Sequence, residues 1–457
     1  MTYETIKKIC ILNILSFRNG MVIRANIRAN IRANIRANIR ASVRLGIIMV
    51  VSGLAACGDQ HSDGGDRHVK EVHKRILTLD SHVDISSDYT FDPAFDPGKL
   101  TGMKVDIPKM TAGGLDAAFF VVYVGQTART EENYVTVKQD ALRKFAGIHR
   151  MTDELYPDQI GLAYSPAEVR RIYKEGKKVA IIGIENGYAI GRDIALVEDY
   201  YNRGARYMTL AHNGHNDICD SAQPKEKLGD MPTEHGGVSE FGTQVIGEMN
   251  RLGMMVDISH VSMDCMTQAV NISKAPAIAS HSGVRALVDH PRNLTDAQMT
   301  LLAQRGGVMQ LVAYSGFLKI DTARSDAIDA LAESVAGRHG FSSDDYENIE
   351  QTDEWQKGRQ EIDEKYPLAT VKDFVDHIDY AVRLIGIDHV GISSDFDGGG
   401  EIIGWKDASE SLNITRELMA RGYSQEDIAK IWGGNLLRTW EDVNRTAAQL
   451  KAAKIYK

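Results

Sequence analysis

The chain has 457 residues, of which 43% are hydrophobic and 25% charged, an ordinary composition for a globular protein with one barrel-sized domain or two or three smaller ones. The net charge is −9, but the first 56 residues hold nine basic residues and one acidic residue, so the remainder carries −17 from 44 basic and 61 acidic residues. A body this acidic excludes nucleic acid as a partner and offers no basic patch to an anionic membrane.

Residues 1–57 are predicted to be a signal or lipoprotein leader. A basic low-complexity repeat, MVIRANIRANIRANIRANIRASVR, precedes the apolar run LGIIMVVSGLAAC, which is too short to span a bilayer but suits the core of a signal peptide. The run ends at Cys57 in a segment that resembles the bacterial lipobox, whose cysteine is lipidated and becomes the mature N-terminus. An arginine-rich organelle transit peptide is the alternative interpretation, although it would not need a cysteine there.

These features predict an exported bacterial lipoprotein that contacts the membrane only through its N-terminal lipid anchor, on the periplasmic or cell-surface side. The polar residues 58–74 that follow are predicted to form a flexible tether. Two cysteines remain beyond the leader, Cys219 and Cys265, so the exported chain has at most one disulfide. Neither has a C-x-x-C partner, which argues against a zinc-thiolate site.

Short β-rich runs alternate with longer segments of helical pattern through residues 75–450, the predicted catalytic domain. There are eight such runs, at residues 77–85, 116–124, 178–186, 205–213, 254–262, 275–283, 306–314 and 388–398. Near-continuous apolar strands alternating with helices indicate a parallel sheet buried on both faces. Eight units match an α/β fold of the (β/α)8 TIM-barrel type with insertions. A doubly wound open sheet is the alternative, but it would not need reactive groups on so many strands.

Reactive side chains stand at the ends of six of these eight runs. They are His82 and Asp84 on the first run, Glu185 on the third, His212 on the fourth, His260 on the fifth, His281 on the sixth and Asp395 on the eighth. Taken singly, each could be a satisfied structural histidine or a carboxylate that caps a turn. In a barrel, however, all the carboxyl ends of the strands meet at one mouth, where the active sites of this fold lie.

Four histidines with three carboxylates and no cysteine are typical of a catalytic zinc site. This supply of ligands exceeds what one tetrahedral ion needs while it keeps a position open for water. Two ions that share a bridging carboxylate would account for all these ligands. Such a pair generates a hydroxide nucleophile and polarises the bond that the hydroxide attacks.

Several sequence motifs, in this order, resemble those of the membrane dipeptidase (renal dipeptidase) family of zinc hydrolases. They are DSHVD, GIEN, TLAHN, DISHVS, SHSG, HPRNL, GISSDFDGG and GGNLLRTWEDV, and the resemblance covers roughly residues 77–443. The resemblance implies a barrel of the metal-dependent hydrolase type with two Zn²⁺ per chain. His82 and Asp84 would hold one ion, His260 and His281 the other, and Glu185 would bridge the two.

The same resemblance implies the roles of three further residues. His212 would contact the substrate and stabilise the tetrahedral intermediate, and Arg292 in HPRNL would pair with the free C-terminal carboxylate of a dipeptide. Asp395 would take a proton from the bridging water and pass it to the leaving amine. The expected reaction is hydrolysis of dipeptides by a metal-bridging hydroxide, with tolerance of a D-residue at the C-terminal position. The resemblance also implies a homodimer.

Residues 315–370, after the seventh run, are long, charged and helical in pattern, which predicts a helical insertion near the mouth. It could form a lid, or equally a solvated helical hairpin without function.

Two other functions remain open. One is a different binuclear metal amidohydrolase on the same barrel, such as a cyclic-amide or ester hydrolase. Many of those use a modified lysine as the bridging ligand, whereas Glu185 takes that position here. The other is a binding lipoprotein that retains the barrel without catalysis, although every position that the family uses is filled.

Overall fold

A parallel β-sheet forms the centre of the protein in the computed structural model, which describes residues 60–341, 346–349 and 352–455. The strands in these residues are β1 (Leu79–Asp84), β2 (Ala117–Tyr123), β3 (Ile160–Leu162), β4 (Lys178–Glu185), β5 (Ala205–Thr209), β6 (Met255–Asp257), β7 (Ile278–Ser282), β8 (Val308–Val312) and β9 (Val390–Ser393). Eight of them lie side by side in the order β1-β2-β4-β5-β6-β7-β8-β9. The sheet edges meet where Asp84 N–H donates to Phe396 O at 2.9 Å. The predicted eight-stranded barrel is therefore confirmed.

Each predicted β-rich run contains one barrel strand, but most strands are shorter than predicted. The clearest case is β6, which covers three residues because the chain leaves the sheet at once to form the mouth. The additional strand β3 was not predicted. It pairs with the first three residues of β4, outside the main order. A run of three residues carries too little periodicity to be recognised.

Helices follow the barrel strands and cover their outer face. In the described residues they are α1 (Gln60–Arg75), α2 (Ile107–Gly113), α3 (Glu131–His149), α4 (Pro166–Lys174), α5 (Ala195–Asn202), α6 (Glu240–Leu252), α7 (Met263–Ile272), α8 (Asp296–Gln304), α9 (Ser315–Leu318), α10 (Thr322–His339), α11 (Tyr346–Ile349), α12 (Asp353–Lys365), α13 (Val371–Ile385), α14 (Leu412–Ala420), α15 (Gln425–Ala429) and α16 (Asn435–Ile455). Many begin at a capping side chain: Thr130, Ser165 and Ser262 each accept a backbone N–H three residues on.

Alternation along the strands sends side chains to two separate apolar clusters. In β2, Ala118 and Phe120 belong to the cluster shared with the surrounding helices. Their neighbour Phe119 belongs to a second cluster, which lies inside the barrel and includes Leu436 and Trp440 of α16. Helix α16 therefore closes the amino-terminal end of the barrel, and polar chemistry is left to the opposite end.

The predicted helical insertion after the seventh barrel strand is confirmed. Helices α9 to α12 lie between β8 and α13, and they have a small apolar cluster of their own. Trp355 of α12 packs there with Val335 of α10. At the base of this pair of helices, Arg324 donates to Asp363 at 2.6 Å and to the Tyr366 carbonyl at 2.7 Å. These contacts close the insertion on itself around its own core, and Asn293, which lies outside it, donates to the Phe317 carbonyl at 2.9 Å.

The predicted flexible tether is wrong over most of its length, because α1 extends from Gln60 to Arg75. From His68 onwards the chain belongs to the same unit as the barrel, and Val69 and Val72 are buried. His73 is held by Thr415 Oγ1 at 2.6 Å and by the Gly113 carbonyl at 2.9 Å. The mostly polar composition of this segment predicts a tether, but its few apolar residues form one narrow stripe of an amphipathic helix.

The predicted leader, with its lipidated Cys57, lies outside the described residues. Among the helices of the described residues, none is both long enough and apolar enough to cross a bilayer.

Cys219 and Cys265 form a disulfide, with their Cα atoms 6.1 Å apart. It joins the segment that follows β5 to helix α7, near the mouth of the barrel. This agrees with the sequence-based limit of one disulfide beyond the predicted leader.

Candidate metal centre

The seven strand-end side chains come together at the carboxyl-terminal mouth of the barrel. Those inside strands or at their ends are His82, Asp84, Glu185 and His281, and those two or three residues beyond a strand are His212, His260 and Asp395. The barrel thus gathers onto one rim side chains that are far apart in the sequence, as predicted.

Glu185 lies between two groups of ligand atoms. Its Oε2 is 3.3 Å from His82 Nε2, which is itself 3.5 Å from Asp84 Oδ2. Its Oε1 is 3.0 Å from His260 Nε2 and 3.4 Å from His281 Nε2. The three residues of each group, with Glu185 in both, place their ligand atoms within 4.8 Å of one another, and so does a third set, His82, His281 and Asp395. One carboxylate therefore faces two sets of possible metal ligands through different oxygens.

Hydrogen bonds on the far side of each ring hold the histidine nitrogens toward this centre. His82 Nδ1 lies 2.9 Å from the Tyr207 hydroxyl, which donates to the Ser81 carbonyl and must therefore accept from the ring. His260 Nδ1 lies 3.1 Å from the amide oxygen of Asn213, which can only accept. In both rings Nδ1 donates to its partner, so Nε2 is the nitrogen directed toward the centre, where a metal ion can take the place of a proton.

The donor set fits metal ions. His82 Nε2 and Asp84 Oδ1 are buried and have no hydrogen-bond partner among the described residues, which is unfavourable unless a cation satisfies them. Burial lowers the pKa of His260 and of His281 well below the ordinary value, and the nearby Arg292 guanidinium lowers both further. These imidazoles are neutral, the form that binds metal.

The carboxylates of the centre also favour a cation. Burial raises the pKa of Glu185, and it raises the pKa of Asp395 well above the ordinary value. Burial disfavours charge on His82, but Glu185 and Asp84 outweigh it and raise the pKa of this imidazole well above its usual range. Several buried carboxylates around one imidazole are stabilised by positive charge, which a divalent ion supplies.

Three residues in or next to the cluster have left-handed backbone conformations. Asn186, directly after Glu185, has φ 75°, His260 has φ 67° and Asp395 has φ 59°. Such conformations are disfavoured for residues with a Cβ and persist where the surroundings fix them. Here they turn the chain sharply at the strand ends and direct the His260 and Asp395 side chains inward.

Arg292 and His212 lie beside the cluster. Arg292 is 2% exposed, donates from Nη2 to the His281 carbonyl at 3.2 Å and lies over the Phe317 ring. Its Nε has no hydrogen-bond partner among the described residues, and burial lowers its pKa to about 10. His212 Nε2 is 3.7 Å from Glu185 Oε1, and burial lowers the pKa of this imidazole well below 6.5. Both are cationic or hydrogen-bonding groups adjacent to the centre rather than members of a ligand group.

Residues that orient the histidines were missed by sequence reasoning. Tyr207, Asn213 and Ser280 each contact the Nδ1 of one ligand histidine. They stand inside or beside motifs that were recognised, but an interior tyrosine or serine of a strand has no distinguishing pattern. No signal in a single sequence could have selected them.

The sequence matches the family model "Membrane dipeptidase (Peptidase family M19)" over residues 66–454. The chain belongs to the membrane dipeptidase family. It is therefore a peptide hydrolase of a metal-dependent class, and the strand-end cluster is the candidate metal centre of a membrane dipeptidase.

Similar proteins and structures agree with membership of the membrane dipeptidases. Dipeptidase aclJ of Aspergillus oryzae is 30% identical over 395 residues, 84% of this chain and 82% of the relative. The probable dipeptidase PvdM from Pseudomonas aeruginosa has a similar structure, with a TM-score of 0.74 and 34% identity over 84% of this chain and 99% of the other. A metallo peptidase from Rhodobacter sphaeroides, solved with a phosphinate mimic of L-Ala-D-Ala, shares the fold with a TM-score of 0.61 and 22% identity, over 80% of this chain and 99% of the other.

Proposed function

We propose that the protein hydrolyses dipeptides with two zinc ions bound at the barrel mouth. The observation that carries this proposal is the position of Glu185, whose two carboxylate oxygens face different histidine groups. His82 and Asp84 would hold one ion, His260 and His281 the other, and Glu185 would bridge them. Nitrogen and oxygen ligands without cysteine suit catalytic zinc.

The bound ions would supply Lewis acidity, which polarises the scissile carbonyl and acidifies the attacking water. Asp395 would accept the proton of that water and deliver it to the leaving amine. Its Oδ1 lies 4.0 Å from His82 Nε2, at the edge of the cluster, and burial raises the pKa of its carboxyl. A carboxylate at this position is placed to accept a proton and to pass it on.

Two residues would bind the substrate. Arg292 has an unused Nε–H, and a planar guanidinium pairs with a carboxylate through two hydrogen bonds. It would hold the free C-terminal carboxylate of the dipeptide. His212 has a buried Nδ1 without a partner among the described residues, and the ring would stabilise the tetrahedral intermediate. A substrate fixed by its C-terminal carboxylate is limited in length on that side.

A D-residue at the C-terminal position is part of the proposal. The Rhodobacter sphaeroides metallo peptidase with the same fold is liganded with a phosphinate mimic of the dipeptide L-Ala-D-Ala. This supports a mouth that accepts a D-residue next to the proposed carboxylate-binding Arg292.

Turnover of a substrate panel tests the function. Purified protein should hydrolyse free L,L and L,D dipeptides when loaded with zinc, should lose this activity to a chelator, and should act poorly on C-terminally amidated dipeptides. Arg292→Ala should lower kcat/KM for free dipeptides by about one to two decades, because one charged hydrogen-bond partner contributes roughly 1.5–3 kcal/mol. The same change should narrow the preference for free dipeptides over amides.

Arg285→Ala is the matched control, since Arg285 lies in the same segment and pairs with the exposed Asp289 at 2.7 Å. It should leave the preference unchanged. Turnover of cyclic amides or esters without turnover of any dipeptide would refute the proposal and support a different amidohydrolase.

We further propose a leader over residues 1–57, lipidation at Cys57 and attachment of the exported protein to the membrane by that lipid. Support comes from the apolar run that ends in Leu-Ala-Ala-Cys. Cys57→Ser should abolish incorporation of a labelled fatty acid and release the protein from the membrane fraction, with Cys10→Ser as control. An unchanged membrane fraction in Cys57→Ser would contradict the anchor.

The family resemblance also supports a homodimer.

A further inference from the structure

A fully buried carboxylate lies behind the metal centre, on the side away from the mouth. Asp257, the last residue of β6, is 0% exposed and is the acceptor of four hydrogen bonds. Its Oδ1 accepts from the backbone N–H of Ser259 at 3.1 Å and of Ser280 at 2.8 Å. Its Oδ2 accepts from Ser280 Oγ at 2.6 Å and from Thr209 Oγ1.

One of these donors connects Asp257 to a ligand histidine. Ser280 Oγ is 2.8 Å from His281 Nδ1, the ring nitrogen that faces away from Glu185. A serine hydroxyl has one proton, and Ser280 donates it in a hydrogen bond to the Asp257 carboxylate, which is the acceptor in all four of its contacts. The Ser280 oxygen must therefore accept the hydrogen bond from His281 Nδ1–H. This relay fixes the proton on Nδ1 and directs Nε2 toward the metal centre. There it lies 2.8 Å from His260 Nε2, a separation at which the two nitrogens would share a cation rather than a second proton.

Ser259 also holds His281 in place, through a hydrogen bond to the backbone of His281. Its backbone N–H is bound to Asp257, and its Oγ accepts the backbone N–H of His281 at 3.0 Å. Both the ring and the main chain of His281 thus depend on Asp257. The rings of His82 and His260 have neutral partners instead, the Tyr207 phenol and the Asn213 amide.

We propose that Asp257 is a positioning residue that acts through Ser280 to select the metal-binding tautomer of His281. The inference rests on the proposed two-metal site. Without the carboxylate, the Ser280 hydroxyl could rotate and donate to Nδ1, which would place the imidazole proton on Nε2 and block coordination. The effect should fall on the ion held by His260 and His281, and not on the ion held by His82 and Asp84.

Metal affinity, measured by competition with a chromophoric chelator during zinc titration, tests this inference independently of activity. In Asp257→Asn, one of the two zinc dissociation constants should rise by about 10- to 100-fold, the usual effect of losing an outer partner of a ligand. Ser280→Ala should raise the same constant by a smaller factor, because it removes the acceptor without introducing a competing donor.

Thr209→Val is the matched control, since it removes a hydrogen bond to the same Asp257 oxygen but leaves the relay to His281 intact. It should change neither constant by more than a few-fold. Thermal unfolding identifies variants that do not fold. If Asp257→Asn is among them, the zinc dissociation constants of Ser280→Ala test the inference. Unchanged constants in the folded variants would overturn the inference. A wild-type protein that binds no zinc would overturn the proposed function instead.

Discussion

Replacing Asp395 with asparagine should lower kcat for dipeptide hydrolysis by about 10²- to 10⁴-fold, the usual contribution of a positioned proton-transfer group. Asparagine has nearly the same shape but cannot accept the proton. It also tolerates the left-handed backbone conformation that Asp395 adopts at φ 59°, so the turn after β9 should survive. Zinc content and KM should change little, and steady-state kinetics together with metal analysis separate these quantities.

Asp397→Asn is the control for this variant. Asp397 also has a left-handed backbone, at φ 63°, and its carboxylate accepts the Lys104 backbone N–H at 2.9 Å. Its replacement should leave kcat within a few-fold of the wild type. If Asp395→Asn retained near-normal kcat, the proton-transfer role would be wrong. Asp395 would then be a structural turn residue, whose carbonyl accepts the backbone N–H of Gly400 at 2.7 Å.

Glu185→Gln should weaken the binding of both proposed zinc ions, because each carboxylate oxygen faces one of the two ligand groups. Glutamine offers one oxygen and no charge, so at least one group loses its shared ligand and both lose the negative charge between them. We expect a loss of affinity greater than the roughly 10- to 100-fold caused by removing an outer partner. Elemental analysis of protein dialysed against a graded chelator series measures both occupancies.

His212→Asn provides the comparison for Glu185→Gln. His212 is close to Glu185 but belongs to neither ligand group, so its replacement should leave two zinc ions per chain. If Glu185→Gln lost one ion and kept the other at wild-type affinity, Glu185 would serve a single site and the bridging arrangement would be refuted.

Much of the fold and of the site could be predicted from the sequence, because both follow from simple periodicity. Apolar runs that alternate with helices require a parallel sheet, and polar residues at the run ends then share one rim. This reasoning located Glu185 and the four strand-end histidines. Arg292, by contrast, was recognised only by family resemblance, since it stands outside any strand and nothing local distinguishes it from a surface arginine.

The features that could not be predicted depend on contacts between distant segments. Asp257 and Ser280 are 23 residues apart, and their hydrogen bond exists only because β6 and β7 are neighbours in the barrel. The sequence predicts a tether where helix α1 lies, because the apolar stripe of this helix is narrow and its burial depends on partners such as Thr415, far along the chain. The pattern of a single sequence shows local periodicity but does not show which distant residues are in contact.

Closure of the barrel by α16 has a consequence for how the protein is made. Leu436 and Trp440 fill the same interior cluster as Leu79 of β1, so residues from the two extremes of the barrel domain complete one core. A growing chain cannot bury this core before α16 has left the ribosome, and its apolar strands stay exposed until then. Folding is therefore expected to follow synthesis. The extent to which chaperones protect the exposed strands in that interval should determine the yield of active protein.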